Sequence, residues 1–243
     1  MGCCGSNRSV PTILPQVELP RQENIIEKAE KLIPFSQKPS RDLDSVLKSH
    51  ASGGRMSVPQ LKKALGVLEL DPQVFTDPDT QVYKFLNRLQ NEKKLYDIKK
   101  LGLCSILLGE GDTPIKARIL FNHFDEDANE KFDRTELKTM LDEMVKISVH
   151  LIPMLALRVD GEPDDPNFVK ISQEEIDDYT KVLDKSKEKF IETITSKLLG
   201  TAEFISSEEF ITKVSSDDFL KRIVWSSNIR VTLYELSKGV GLS

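Results

Sequence analysis

Sulfur and imidazole are scarce in this chain, which has three cysteines and three histidines among 243 residues. Cys3 and Cys4 adjoin, Cys104 stands alone, and His50, His123 and His150 are scattered singly. Neither a disulfide framework nor a Cys/His metal cluster can be built from such spacings. Basic residues are not in excess: Lys and Arg number 34 against 39 Asp and Glu. The net charge of −5 offers no basic patch to a nucleic-acid partner, and none is expected. The longest apolar stretch, Val149 to Leu157, is interrupted by His150 and Pro153 and falls far short of the ~20 residues that a membrane-spanning helix needs. No apolar secretory run precedes the cysteine pair, and two neighbouring thiols without a disulfide framework suit a reducing compartment. Catalytic signatures are also missing. The chain has no P-loop, no glycine-rich dinucleotide turn and no nucleophile in a recognisable motif with histidine, so no enzymatic activity is expected.

What the chain does have is DEDANEKFDRTE, residues 125 to 136, with oxygen-bearing side chains spaced to wrap a calcium ion. Asp125, Asp127 and Asn129 supply side-chain oxygens at loop positions 1, 3 and 5, and Lys131 supplies a backbone carbonyl at position 7. Asp133 stands at position 9, where the ligand usually acts through water, and Glu136 at position 12 can close the shell with both carboxylate oxygens. Thr113-Pro114 and the apolar residues Ile115, Ile119, Leu120, Phe121 and Phe124 predict an incoming helix. Leu137, Met140, Leu141, Met144 and Val145 predict an outgoing one. The pattern resembles an EF-hand with one departure, Glu130 at position 6, where the sharp turn favours glycine. A non-binding acidic surface turn is the alternative.

A lone helix-loop-helix cannot bury its apolar face, so partner frames are expected elsewhere in the chain. Residues 198–209 keep Ile205 at position 8 and Glu209 at position 12 but lack carboxylates at positions 1, 3 and 5. Residues 49–60 keep Gly54 at the turn and Met56 at position 8. Residues 88–99 would place Leu95 at position 8, with Arg88 and Lys99 where the first and last carboxylates belong. The expected architecture is all-α: two lobes of paired EF-hand units joined by short β-bridges between loops, with Phe132 at position 8 making the bridge for the good loop. The N-terminal lobe would span 23–108 with two degenerate hands, the C-terminal lobe 109–215, and a helical tail 216–243. Gly109 and Gly111 mark the break between lobes.

The N-terminus MGCCGS fits the acceptor pattern for myristoylation of Gly2, with Cys3 and Cys4 beside it as palmitoylation candidates. One myristoyl chain anchors only marginally, so a second acyl chain would be needed. An unmodified end, or a vicinal thiol pair used for metal or redox chemistry, are the other readings. Residues 1–22, with Pro11, Pro15 and Pro20, read as an extended tether, followed by a helix over 24–34. The stretch 159–168 is acidic, but Pro163 and Pro166 break any ligand register and make it a linker. Ser172 and Glu175 form a capping box that starts a single long helix ending near Gly200. The apolar tail 217–238 either completes the C-terminal core or occupies a groove that a target helix would take.

On MGCCGS and the 125–136 loop, the chain resembles acylated four-EF-hand calcium sensors: neuronal calcium sensors, calcineurin B-like proteins and protist flagellar calcium-binding proteins. The resemblance implies an all-helical, two-lobe protein on the cytoplasmic face of the plasma or flagellar membrane, held there by N-terminal lipids. It also implies Ca²⁺ as the bound ion and an apolar groove as the site for a protein target. The chain departs from the family in keeping one complete loop and in the long interval from Phe132 to Ile205. A membrane-tethered scaffold, in which Ca²⁺ mainly stabilises the C-terminal lobe, is the alternative function.

Overall fold

The structure, a computed structural model, describes residues 17–125, 127–157 and 170–240. Gly2, Cys3 and Cys4 and the acidic stretch 159–168 lie outside the described residues. Within them the chain is mostly helical, and its strands are confined to two short antiparallel pairs. Helix α1 (Arg21–Leu32) ends one residue before Ile33, which Pro34 holds in an extended conformation (φ −68°, ψ 133°).

Four helix-loop-helix units follow. The first is α2 (Ser40–His50), β1 (Arg55–Met56) and α3 (Val58–Val67). A short α4 (Pro72–Thr76) leads to the second, made of α5 (Gln81–Asn87), β2 (Tyr96–Asp97) and α6 (Ile98–Leu108). The third comprises α7 (Thr113–Phe124), β3 (Lys131–Asp133) and α8 (Arg134–Val145). A π-helical turn (Lys146–Leu151) and a 3-10 turn (Ile152–Ala156) continue α8. After α9 (Gln173–Asp184), the fourth unit consists of α10 (Lys187–Leu199), β4 (Phe204–Ser206) and α11 (Ser207–Ser216). A 3-10 turn (Leu220–Val224) then leads to α12 (Ser226–Ser237).

The units associate in twos through their loops. Met56 faces Tyr96 across β1–β2, and Phe132 faces Ile205 across β3–β4. All four side chains are buried. Helix α2 packs along α6, α7 along α11 and α8 along α10. Phe132 stacks on Phe121 at 4.1 Å between ring centroids and meets Phe210 edge-on at 5.5 Å, so the third loop is pinned to both helices beneath it. The buried apolar side chains form one continuous cluster through all four units.

Two expectations need correction. The second loop is framed one residue later than 88–99. Tyr96, not the half-buried Leu95, pairs with Met56, and a one-residue slip would turn the buried side chain outwards. The end positions of that frame therefore hold Leu89 and Lys100 in place of Arg88 and Lys99. The single long helix from Ser172 to Gly200 is also broken. Ser186 (φ −106°, ψ −2°) donates back to the Leu183 carbonyl in a tightened last turn, and α10 starts afresh from there. The two halves share α12 but otherwise diverge, α9 packing on α1 and α10 on α8.

Candidate metal centre

The 125–136 loop is shaped by its own backbone N–H groups. Asp125, at the end of α7, accepts from Asn129 N–H and Glu130 N–H, both at 3.1 Å, which folds the loop back over its first residue. Asp127 accepts from Asn129 N–H at 3.1 Å and from its side-chain amide at 2.7 Å, while the Asn129 Oδ1 accepts from Lys131 N–H at 2.7 Å. Glu130 sits at φ 60°, the left-handed turn expected at position 6. Lys94 (φ 58°) and Gly54 (φ 71°) occupy the matching place in the second and first loops, each two residues before the paired residue. The fourth loop departs from this: its left-handed residue is Gly200 (φ 57°), five residues before Ile205.

Position 9 caps the outgoing helix in all four units. Ser57, Asp97, Asp133 and Ser206 each accept a backbone N–H from the first turn of the helix that follows. In the third unit Asp133 accepts from Thr135 N–H at 2.7 Å and Glu136 N–H at 2.8 Å, and the Glu136 carboxylate returns to accept Asp133 N–H at 3.0 Å. Ser57 with Gln60, and Ser206 with Glu209, form the same reciprocal box. The last ligand position of the candidate site is thus half of a capping box.

The fold brings Asp125, Asp127, Asn129, Lys131, Asp133 and Glu136 into one exposed loop, in which the Asp125 and Asp127 carboxylates share the Asn129 N–H. Among the described residues no three His, Cys, Asp or Glu side chains stand close enough together to hold an ion. Partial burial, together with the charges of Asp133, Asp127 and Asp125, raises the Glu136 carboxyl above its ordinary value despite the bond from Asp133 N–H. The donor set is all hard oxygen and suits Ca²⁺ chemically. The Glu136 carboxylate that would close around an ion accepts the Asp133 N–H on one of its two oxygens, Oε2.

Sequence reasoning did not find the buried polar groups around this unit. Arg230 of α12 is fully buried, and each of its guanidinium nitrogens is bonded. Nε and Nη2 reach the two oxygens of Glu23 at 2.8 Å each, and Nη1 reaches Glu30 at 2.7 Å and the Ser148 carbonyl at 3.1 Å. Tyr179 O–H donates to Glu23 at 2.9 Å, and Ser226 O–H to Glu30 at 2.5 Å. Burial opposes the Arg230 charge, but Glu23 and Glu30 outweigh it and hold the guanidinium well above its ordinary range. At Glu23 burial prevails over Arg230 and raises the carboxyl.

Lys116 of α7 is buried too. Its Nζ lies 3.0 Å from the Trp225 ring centroid and 3.4 Å from the Val224 carbonyl, and burial keeps it well below the ordinary lysine range. His123, also on α7, contacts Asp44 of α2 at 2.5 Å. An arginine inside the apolar run from Ile229 to Leu233 was the available sign of a buried charge.

No protein-family model and no curated protein matches the chain.

Proposed function

We propose that the chain is a membrane-anchored calcium-binding protein that acts as a Ca²⁺ sensor or relay for a target protein through a single EF-hand, the 125–136 loop. The observation that carries this reading is the loop itself. It has helices on both sides, a left-handed turn at position 6, an Asp125 carboxylate gathering the N–H groups of residues 129 and 130, and a β-bridge from Phe132 to a second loop. In this reading Asp125, Asp127, Asn129, the Lys131 carbonyl, Asp133 and Glu136 hold the ion. The other three loops lack the carboxylates to do so, and Lys100 ends the second with a cation. Gly2, Cys3 and Cys4 would carry the lipids that keep the protein at the cytoplasmic face of a membrane.

Calorimetric titration with Ca²⁺ over a physiological Mg²⁺ background tests the site. Wild type should bind one ion, and Glu136→Gln should lose the response; a heat signal that survives this substitution would place the ion elsewhere. Mass spectrometry of the N-terminal peptide from cells able to myristoylate tests the anchor, which an unmodified Gly2 would remove.

One observation favours a second reading, a tethered scaffold in which Ca²⁺ only stabilises the fold. Nine of the twelve residues of α12 are buried, against α8, α9, α10 and α1, so the apolar tail packs as part of the core. A hydrophobic dye separates the two. A sensor gains dye binding as Ca²⁺ saturates the loop; a scaffold does not.

A further inference from the structure

Several segments outside the four loop units meet at Arg230. Glu23 and Glu30 come from α1, Tyr179 from α9, Ser226 from α12 and the Ser148 carbonyl from the π-helical turn after α8. Glu23 and Glu30 lie seven residues apart, two helical turns, so they share one face of α1. A buried ion cluster of this kind is not a stabilising device in itself, since apolar groups of similar volume often do as well or better. It adds an all-or-none fit: α1 either docks with both carboxylates on Arg230 or leaves charges unpaired in the interior.

The cluster is wired to the ion loop by one continuous helix. Glu136 stands in the first turn of α8 and is committed to the Asp133 N–H at 3.0 Å. Helix α8 passes through Val145 into the π-helical turn with helical dihedrals at the join (Lys146, φ −57°, ψ −45°). Ser148 is twelve residues beyond Glu136, roughly 18 Å along the axis at ~1.5 Å per residue. A π-turn is a rare interruption of the α-helical register, often met at functional sites, and a change to the α-helical register is the step open to it. Such a step shifts the carbonyls of the turn, and the Ser148 carbonyl is the one bonded to Arg230.

We propose that the Arg230 cluster is a latch that holds α1 down in the ion-free protein and is released through α8 when the 125–136 loop closes on Ca²⁺. The proposal rests on reading that loop as the calcium site. Its consequence is that Ca²⁺ sets whether the helix next to the N-terminal tether is docked or free. By reciprocity, a broken latch must favour the ion and a permanent one must oppose it.

The full chain is compared by amide hydrogen exchange of α1 with and without Ca²⁺, and by calorimetric Kd, in wild type, Arg230→Met and the triple Glu23→Leu, Glu30→Leu, Arg230→Met. The triple keeps α1 docked by apolar contact alone. Expected are faster α1 exchange with Ca²⁺ in wild type, binding tighter by about fivefold or more in Arg230→Met, and weaker binding with Ca²⁺-insensitive α1 exchange in the triple. If Arg230→Met does not fold by circular dichroism, the exchange data for wild type and the triple decide alone. A wild type that binds Ca²⁺ with unchanged or slower α1 exchange, or folded variants whose Kd stays within about twofold of wild type, would overturn the latch and leave the calcium site standing. A wild type that binds no Ca²⁺ removes the site and the latch together.

Discussion

At Glu130 an L-residue is held at φ 60°, a conformation that costs about 1 to 2 kcal/mol where glycine pays little. Glu130→Gly should therefore stabilise the protein by about 1 kcal/mol in urea unfolding, the added freedom of glycine in the unfolded chain offsetting part of the gain. Gly102 on α6 is constrained from the opposite direction. A Cβ there would lie 2.1 Å from the His123 ring, so Gly102→Ala should cost about 1 to 3 kcal/mol by displacing a buried side chain, visible as a lower urea midpoint. The loop residues Asp125 to Glu136 could be read from the chain because their geometry is local, fixed by spacing within twelve residues. Arg230 could not be placed that way. Its flanking isoleucine and valine mark a buried charge, but its partner Glu23 is 207 positions away and nothing between them encodes the pairing.

Helix ends and strand registers were legible where a capping residue writes them into the chain. The box of Ser172 with Glu175 falls where the sequence puts it, whereas Asp133 and Glu136 were read as two ligand positions and prove also to be a capping pair. The second loop slipped by a residue because Leu95 and Tyr96 are both apolar enough to face inwards, and only pairing with Met56 selects the tyrosine. The break at Ser186 carries no glycine or proline; the two halves share α12 but diverge otherwise, α9 onto α1 and α10 onto α8, which is a tertiary cause. Between helices, the contact of Asp44 on α2 with His123 on α7 ties the first unit to the third. Burial raises the Asp44 carboxyl, but the His123 and Lys48 contacts outweigh it and leave it lowered. A lowered acid adds stability that is complete above the unfolded carboxylate value of about 4 and is lost as pH falls through the lower folded value. The difference in unfolding free energy between wild type and Asp44→Asn, followed by denaturant titration, should accordingly shrink as pH falls below about 4.

For the molecule as a whole, the proposed single ion site implies a response that is not steep in a monomer. Ca²⁺ binding followed by Trp225 fluorescence should fit a Hill coefficient of about 1, and a value well above that would require a second site or an oligomer. The all-helical character was legible from apolar periodicity along the chain. The joint packing of α1, α9, α12 and the turns after α8 was not, because it assembles pieces from both ends and the middle of the sequence. That closure has a consequence during synthesis. Arg230 meets Glu23 across 207 residues, and at ~5–20 residues per second of translation the partner of α1 emerges about 10 to 40 s after α1 itself. Through that interval Glu23 and Glu30 lack their guanidinium and α1 can rest only on the Ile152–Ala156 turn and α9, so the first helix made is among the last to finish docking.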